Sequence, residues 1–336
     1  SEVEKRIEDL SKYILNKNIS KIFLLNNEIK KSFFKILPTV KKKIVVSGWP
    51  RYQLTKKEFI KIYSEQINKI TKKHKEFYLF SSDFGIMEKS KINDLKKYYK
   101  LYGWKKKNIL LENKMNLKRL KTFKTFVKLI EEYDKLDNVP RIIVRPHPSE
   151  SERVWKNIGN KLRRVKIILK GEIEPWILSA KGLIHNGCSS AIEGFNFKKS
   201  VYYLEIPGGY KRRSLVFKGS ILLNKLKDLK NLKNFNNNMK KYEYKSLSNN
   251  SSSHILEILK KYKSNNEELS KISLKKKILY KLKDIYHNDI LETKNDNNKM
   301  QGGIKISEIK NILDKISKCN FRVEKLIDNG FLIRKS

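Results

Sequence analysis

The stretch Arg141–Glu150, RIIVRPHPSE, decides the fold of this chain. Its first five residues form a β-branched run, which predicts a buried strand that stops at Pro146. A second apolar run, Gly182–His185, also ends in a polar turn, Asn186–Ser190, and helical sequence follows it. Strands that each lead through a polar turn into a helix are typical of a parallel sheet with crossover helices.

The same alternation extends outward on both sides, from Lys41 to Leu204. Strands are predicted at 41–46, 77–80, 141–145, 165–169, 182–185 and 201–204, and helices at about 56–73, 117–135, 149–159 and 175–181 and from Ser189 or Ser190 onward. This pattern predicts an α/β fold, a Rossmann-like, doubly wound parallel sheet with helices on both faces.

Two further parts flank the predicted sheet. Residues 1–45 hold one helix and a short strand at 21–25, so we expect a truncated amino-terminal part. Residues 246–336 hold Asn- and Ser-rich breaks, helices at about 254–263, 267–286 and 304–318, and an Asn329-Gly330 pair that predicts a hairpin. We therefore expect three domains, 1–45, 46–245 and 246–336, the last a small helical and hairpin appendage.

The chain is strongly basic. Lys and Arg number 76 against 35 Asp and Glu, for a net charge of +41. The lysines are spread along the whole chain with Ile and Asn, without the compact basic and aromatic block of a nucleic-acid-binding stripe, so nucleic acid is not the expected partner. Two interpretations stay open: the Lys, Asn and Ile enrichment that an AT-rich genome places on solvated faces, or attraction to an anionic lipid surface.

Cysteine usage and hydropathy bear on the compartment. Only Cys188 and Cys319 occur among the 336 residues, which excludes a disulfide scaffold and fits a reducing environment. No run of about 18 apolar residues and no secretory leader is found. We expect a cytoplasmic protein, peripheral to the inner face of the cell membrane. Because the chain begins at Ser1 without a Met, we also expect that an amino-terminal portion is missing.

Ligands of an open parallel sheet bind beyond the carboxyl ends of its strands, so the loops there are candidate sites. The loop after residue 145 offers a phosphate or carboxylate a bidentate contact from Arg145 and hydrogen bonds from His147 and Ser149. The alternative interpretation is a turn stiffened by its two prolines, with a solvent-facing histidine.

The loop after His185 also has the composition of an anion site. Its members are Asn186, Gly187, Cys188, Ser189 and Ser190. Backbone N–H groups at a helix start, a glycine that permits close approach and two hydroxyls all suit a phosphate. The alternative is ordinary helix capping by Ser189 or Ser190. One turn later, Glu193 is a candidate acceptor for ribose hydroxyls, or else a solvated helix-face glutamate.

A third loop, after the strand at 77–80, adds Ser82 and Asp83. Asp83 is a candidate base or an acceptor for sugar hydroxyls. The chain lacks an Asp-x-Asp pair, and its five histidines show no ligand spacing, so we expect no metal and no other cofactor. Positive side chains and a helix dipole would then stabilise the anion.

Taken together, these segments resemble the bacterial surface carbohydrate biosynthesis protein family. The resemblance covers about residues 41–207 and rests on Ser47–Tyr52, Arg145–Glu150 with Trp155, Pro175-Trp176, and His185–Ser190 with Glu193. It implies a GT-B-like glycosyltransferase in which 46–245 holds the nucleotide sugar and 1–45 is the remnant of an acceptor-side domain. Gly48 and Arg51, with Ser82, Asp83 and His185, would line the sugar side of the cleft.

The His-Pro and Ser-Ser elements are also similar to those of bacterial sialyltransferases and Kdo transferases. This implies that His147, Ser189 and Ser190 grip the phosphate of a CMP-activated ulosonic acid, and His147 and Asp83 are then the candidate catalytic residues. The acceptor would be a glycan or lipid-linked glycan of a surface polysaccharide, such as a capsule or lipopolysaccharide.

Three other interpretations stay open. One is a CDP-glycerol-type polyol-phosphate transferase or a nucleotide-sugar epimerase. Another is a non-enzymatic basic protein that binds nucleic acid or a lipid surface. The third is an inactive fragment that still binds nucleotide.

Overall fold

The computed structural model of the chain describes residues 19–101, 106–209, 217, 219–232, 251–260, 321–327 and 330–335, with a few positions between 4 and 15. The chain divides into two compact units. Unit 1 comprises residues 1–57 and 243–273, and unit 2 comprises 58–242 and 274–336. The sequence predicts boundaries after residues 45 and 245, which differ from this division. The three domains remain a prediction.

Unit 1 contains a two-stranded parallel sheet. Its described elements are β1 (Ile22–Leu24), α1 (Asn27–Ile36), a 3-10 helix (Pro38–Lys43), β2 (Ile44–Val46), α2 (Pro50–Gln53) and a helix at Ser251–Lys260. The strand predicted at 41–46 is shorter because Pro38 begins the 3-10 helix, and it pairs with β1 rather than with the main sheet. The Asn26 side chain caps α1 by accepting from the N–H of Ile29 at 2.9 Å.

Unit 2 contains the main sheet, and its strands and helices alternate over most of the predicted region. After a 3-10 helix (Lys57–Tyr63) they are α3 (Ser64–His74), β3 (Tyr78–Ser81), α4 (Lys89–Leu101), α5 (Lys106–Asp134), β4 (Ile142–Arg145), α6 (Glu152–Gly159), β5 (Lys166–Ile167), α7 (Glu174–Ser179), β6 (Gly182–His185), α8 (Ser190–Asn196), β7 (Ser200–Leu204), β8 (Ile221–Leu223) and α9 (Leu226–Lys230). A separate hairpin, β9 (Phe321–Ile327) and β10 (Gly330–Lys335), pairs antiparallel, as the Asn-Gly signal predicts.

The six strands of the main sheet are all parallel and lie in the order β5-β4-β3-β6-β7-β8. Numbered from β3, this is the 3-2-1-4-5-6 order of the Rossmann fold. The predicted doubly wound parallel sheet is therefore confirmed. Its order reverses between β3 and β6, and this switch point is where ligands of such sheets bind.

Helices cover both faces of the sheet. On one face, Phe80 of β3 packs with Phe126 of α5 and Trp155 of α6. On the other face, Leu79 of the same strand packs with Ile177 of α7 and Ile70 of α3. Strands β3, β4 and β6 are buried at all four positions, which is why the sequence shows them as continuous apolar runs.

The sequence patterns missed part of unit 2. Helix α5 begins eleven residues before the predicted 117, and α4 and the three-residue β8 were not predicted. Lysine-rich sequence gives α4 and the start of α5 a weak apolar period, so their helical character is hard to read. The helices predicted at 267–286 and 304–318 lie outside the described residues. No described helix is both long enough and apolar enough to span a bilayer.

Candidate functional site

The loops that follow β3, β4 and β6 begin level with one another at the carboxyl edge of the sheet. Ser81, the last residue of β3, is in register with Arg145 of β4 on one side and with His185 of β6 on the other. The three predicted site loops therefore start from adjacent strands. From β3 the chain leads to α5 on one face, and from β6 it leads to α8 on the other, which leaves a crevice between the loops.

Hydrogen bonds join the β3 loop to the β6 loop. The side-chain oxygen of Asn186 accepts from the N–H of Asp83 at 2.8 Å. The hydroxyl of Ser190 donates to Ser81 Oγ at 2.9 Å, and that hydroxyl donates to Cys188 Sγ at 3.3 Å. Burial raises the pKa of the Cys188 thiol, so it remains neutral. Except for the half-buried Asp83, these residues are buried.

Glu150 joins the β3 loop to the β4 loop, a role that the sequence analysis missed. Its carboxylate accepts from Ser82 Oγ at 2.5 Å, from the N–H of Phe84 at 2.6 Å and from Trp155 Nε1 at 2.9 Å. The N–H of His147 also points at it, at 3.3 Å. Burial raises the pKa of Glu150, although the hydrogen bonds from Ser82, Phe84 and Trp155 oppose the shift. No local pattern could reveal this role, since two of its partners lie 66 and 68 residues away in the chain.

His147 is held in one orientation at the rim of this network. Its Nδ1 accepts from the N–H of Ser149 at 3.2 Å and lies 2.8 Å from the hydroxyl of the same residue. In the neutral ring the proton is therefore on Nε2. Its backbone N–H contacts Ser82 Oγ at 3.2 Å. The imidazole is half-buried, and Ser149 is exposed.

Arg145 is directed away from the crevice. Its guanidinium donates to the carbonyls of Ile168, Lys170 and Gly171 at 2.5 to 2.9 Å and lies 5.5 Å from the ring centre of Trp176. Burial lowers its pKa to about 10, partly offset by Glu174. These contacts brace the loop between β5 and α7. The predicted phosphate contact of Arg145 stays a prediction, and the observed hydrogen bonds give this side chain a scaffolding role.

His185 is also part of the scaffold. The ring is fully buried, its Nε2 lies 2.9 Å from Ser220 Oγ, and its Nδ1 accepts from the N–H of Gly187 at 3.2 Å. Burial lowers its pKa to about 3, so the imidazole is neutral. Since the N–H of Gly187 is engaged by this ring, His185 shapes the turn at Gly187, whose φ is 120°.

Four predicted site residues remain, and they lie in three different parts of the structure. Ser189 is exposed at the start of α8 and makes no side-chain capping bond, so the capping interpretation does not hold for it. Glu193 is 3% exposed, which excludes the interpretation of a solvated glutamate. Gly48, buried with a φ of 77°, and the exposed Arg51 belong to unit 1. In the described residues no group of three or more His, Cys, Asp or Glu is placed to hold a metal ion.

The crevice therefore presents few functional groups to solvent. Asp83 and His147 are partly exposed, and Ser149 and Ser189 are exposed. Behind them, the buried side chains of Glu150 and Asn186 join the three loops through hydrogen bonds. One imidazole, one carboxylate and two hydroxyls therefore lie on the loops at the carboxyl edge of a Rossmann sheet, the place where sheets of this class bind their ligands.

Comparison with known proteins finds no family model that matches this chain. No curated protein matches it either. Among solved structures, a UDP-GlcNAc 2-epimerase from Methanocaldococcus jannaschii in complex with UDP-GlcNAc and UDP is 18% identical, with a TM-score of 0.47 over 72% of this chain and 61% of that one. The match thus spans about three-fifths of that epimerase.

Two further structures are similar at lower scores. The wall teichoic acid polymerase TagF is 12% identical, with a TM-score of 0.45 over 76% of this chain and 60% of that one. A glycosyltransferase from Rickettsia africae is 15% identical, with a TM-score of 0.36 over 85% of this chain and 68% of that one. Likenesses this weak define neither fold nor activity, so the Rossmann assignment rests on the strand order of the sheet itself.

Proposed function

We propose that the protein is a nucleotide-sugar-dependent glycosyltransferase of surface-polysaccharide assembly, acting on a glycan or lipid-linked glycan at an anionic membrane surface. The donor is a nucleotide sugar, and a CMP-activated ulosonic acid is the specific donor we favour. The observation that carries the proposal is the position of Asp83, on the loop after β3 beside the switch point, and of His147, on the neighbouring loop after β4, with these loops joined by Glu150 and the β3 loop joined to the β6 loop by Asn186.

The contacts of His147 support a role at the donor phosphate. Because Ser149 occupies Nδ1, the neutral ring presents an Nε2–H donor, and such a donor stabilises negative charge that develops on a departing phosphate oxygen. The hydroxyls of Ser149 and Ser189 would add hydrogen bonds to the same anion. Arg145 is left out of this set because its guanidinium is engaged by three backbone carbonyls.

The proposed reaction moves the sugar between two oxygens. The bond from the anomeric carbon to the donor phosphate oxygen breaks, and the electron pair leaves with the phosphate beside His147. The acceptor hydroxyl oxygen bonds to the anomeric carbon, and its proton passes to a carboxylate, for which we propose Asp83. No metal is required by this scheme, since hydrogen-bond donors carry the phosphate charge.

Nucleotide binding is the first test. A ligand that binds only the folded state raises the melting temperature, so thermal shifts with CMP, CDP, UDP and GDP report which nucleotide the site accepts. We expect a selective shift with CMP. Selectivity for CDP would favour a polyol-phosphate transferase, and selectivity for UDP would favour a UDP-sugar transferase or an epimerase; a shift with none of the four would overturn the proposal.

Substitution locates the site. We expect His147→Ala to weaken nucleotide binding by about tenfold or more, the loss of one charge-assisted hydrogen bond. The matched control is His74→Ala, at the end of α3 on the opposite edge of the sheet, which should bind nucleotide as the unaltered chain does. Asp83→Asn should bind the donor and lose transfer. Equal nucleotide affinity in His147→Ala and the unaltered chain would place the phosphate elsewhere.

A further inference from the structure

Helices α4 and α5 pack against each other. Aromatic contacts show where α5 lies along the strand direction. The ring of Phe126 stacks on that of Phe80 in β3, with 4.6 Å between ring centres. The ring of Phe123 lies 5.4 Å, centre to centre, from that of Phe84 in the loop after β3. At a rise of about 1.5 Å per residue, the part of α5 that begins at Lys106 extends about 25 Å beyond Phe123. Helix α5 therefore projects on the same side of the sheet as the crevice, with α4 packed against it.

Helix α5 has two opposite faces. One packs on the sheet through Phe123, Phe126 and Ile130, which are at most 4% exposed. The other face, which we name the lysine face, consists of Lys107, Leu110, Lys114, Leu117, Lys118, Lys121, Lys124 and Lys128, all exposed. At 100° per residue these eight positions fall within about 120° of arc, centred opposite the buried face. The lysine face is thus one continuous surface.

From Lys107 to Lys124 this surface carries positive charge only, and the exposed Glu132, which lies on the same arc of the helix four residues after Lys128, marks its end. Glu112, the only acid in the first 25 residues of α5, pairs with Arg119 at 3.0 Å and lies outside the lysine face. Within the part of the chain that the structure describes, no carboxylate forms an ion pair with any of the six lysines. From Lys107 to Lys124 the exposed lysines of this face therefore have no acidic residue at i, i+3 or i, i+4, the pairs that usually stabilise a solvated helix face.

Two leucines interrupt the lysines. Leu110 is 58% exposed and Leu117 is 52% exposed, and they stand seven residues apart, so they lie on the same stripe of the helix. Leu101, at the end of α4, is 56% exposed. Apolar side chains between lysines on one helix face are typical of a surface that lies on an anionic bilayer, with the leucines entering the acyl boundary and the lysines near the headgroups.

We propose that the lysine face is a docking surface for an anionic lipid bilayer. Arginine is the preferred side chain for nucleic-acid recognition, and the lysine face has none; its lysines stand beside exposed leucines, a combination that suits an anionic lipid surface. A second copy of the chain would bring six positive charges against six, so self-association through this face is disfavoured. The inference rests on the proposed function for the nature of the acceptor, since a projecting helix pair that lies on the membrane would hold the crevice near lipid-linked glycans.

Vesicle binding tests the surface without any donor or acceptor, so its failure and the failure of the transferase assignment can be told apart. The whole chain is sedimented with vesicles of phosphatidylcholine containing 30% phosphatidylglycerol, at low and at high salt. Each lysine near such a surface contributes about a fivefold change in affinity, so we expect the variant K114E/K118E/K121E to bind at least about 100-fold more weakly. The charge-matched control is K72E/K73E/K161E. It alters exposed lysines of α3 and of the segment after α6, and it should bind nearly as the unaltered chain does.

The leucines provide a second readout. We expect L110S/L117S, which keeps every charge, to lower the binding that persists at high salt by about tenfold, because the apolar part of the contact is not screened. Both variant sets must keep the melting temperature of the unaltered chain. The inference is overturned by equal losses in the two lysine variants, by no loss in either, by a leucine variant that binds normally, or by tighter binding to duplex RNA than to the vesicles.

Discussion

The hydroxyl of Ser82 donates a 2.5 Å hydrogen bond to the buried carboxylate of Glu150, and this contact joins the loop after β3 to the loop after β4. The same carboxylate receives the N–H of Phe84 and the indole N–H of Trp155. A single side chain therefore holds together two of the three loops that line the crevice. Its neighbours His147 and Asp83 are partly exposed, while Glu150 itself is 3% exposed.

The first prediction concerns Glu150→Gln. An amide keeps the shape of the side chain but replaces one acceptor oxygen with a donor, so at least one of the buried N–H or O–H groups is left without a partner. We expect the free energy of unfolding in urea to fall by about 1–3 kcal/mol. Glu76→Gln, at a side chain that is 71% exposed, is the control and should change stability by less than about 1 kcal/mol. An unchanged stability in Glu150→Gln would contradict the bracing role.

The second prediction separates scaffolding from phosphate binding at Arg145. Lysine keeps the charge but cannot serve the three carbonyls that the guanidinium fork reaches, so we expect Arg145→Lys to lose about 2 kcal/mol or more of stability. Arg153→Lys, at a side chain that is 75% exposed, should stay within about 0.5 kcal/mol. Urea unfolding measures both variants. Full stability with weakened nucleotide binding would instead assign Arg145 to the phosphate.

The third prediction is a pH dependence that arises from His185. Burial lowers its folded pKa to about 3, below the value of 6.5 for an ordinary histidine. The stability that this neutral ring contributes is present above pH 6.5 and is lost as the pH falls toward 3. In this range the unfolded chain binds a proton at the histidine and the folded chain does not. The slope is about 1.4 kcal/mol per pH unit, so about 2 kcal/mol is lost between pH 6.5 and 5.

His185→Gln removes that titration. We expect the variant to be less stable than the unaltered chain at pH 7 and to lose less stability on acidification to pH 5, as measured by urea unfolding at the two pH values. If acidification weakens both proteins equally, the ring is not buried in its neutral form.

The fourth prediction tests the close packing of α8 on the sheet. A Cβ at Gly194 would lie 2.8 Å from Leu183 Cδ2 and 3.0 Å from Val201 Cγ2, whereas one at Gly159 would meet only Ile167, at 3.5 Å. We expect Gly194→Ala to lower stability by about 1–3 kcal/mol through overpacking. Gly159→Ala, within ordinary contact distance, should be neutral or slightly stabilising. Equal melting temperatures for the two variants would contradict the observed approach of α8.

The strand ends at the carboxyl edge of the sheet were predictable because their signals are local. The run Arg141–Arg145 and the strand Gly182–His185 are recognised from adjacent residues, and a polar turn after each marks a strand end. Helix α4 and strand β8 were missed because lysine-rich and very short segments carry little periodicity. The strand predicted at 41–46 was assigned to the main sheet, yet β2 pairs with β1, since pairing partners are not encoded within one segment.

The sequence by itself determined the alternation of strands and helices, the parallel sheet and the three loops that line its carboxyl edge, because hydrophobic period and strand termination depend on neighbouring residues. Tertiary structure alone decided which side chains of those loops face the crevice. Arg145 and His185 turn inward and Glu150 becomes a brace because their partners lie up to 68 residues away in the chain. Burial and hydrogen bonding at a position depend on what packs against it, and only the folded chain brings those groups together.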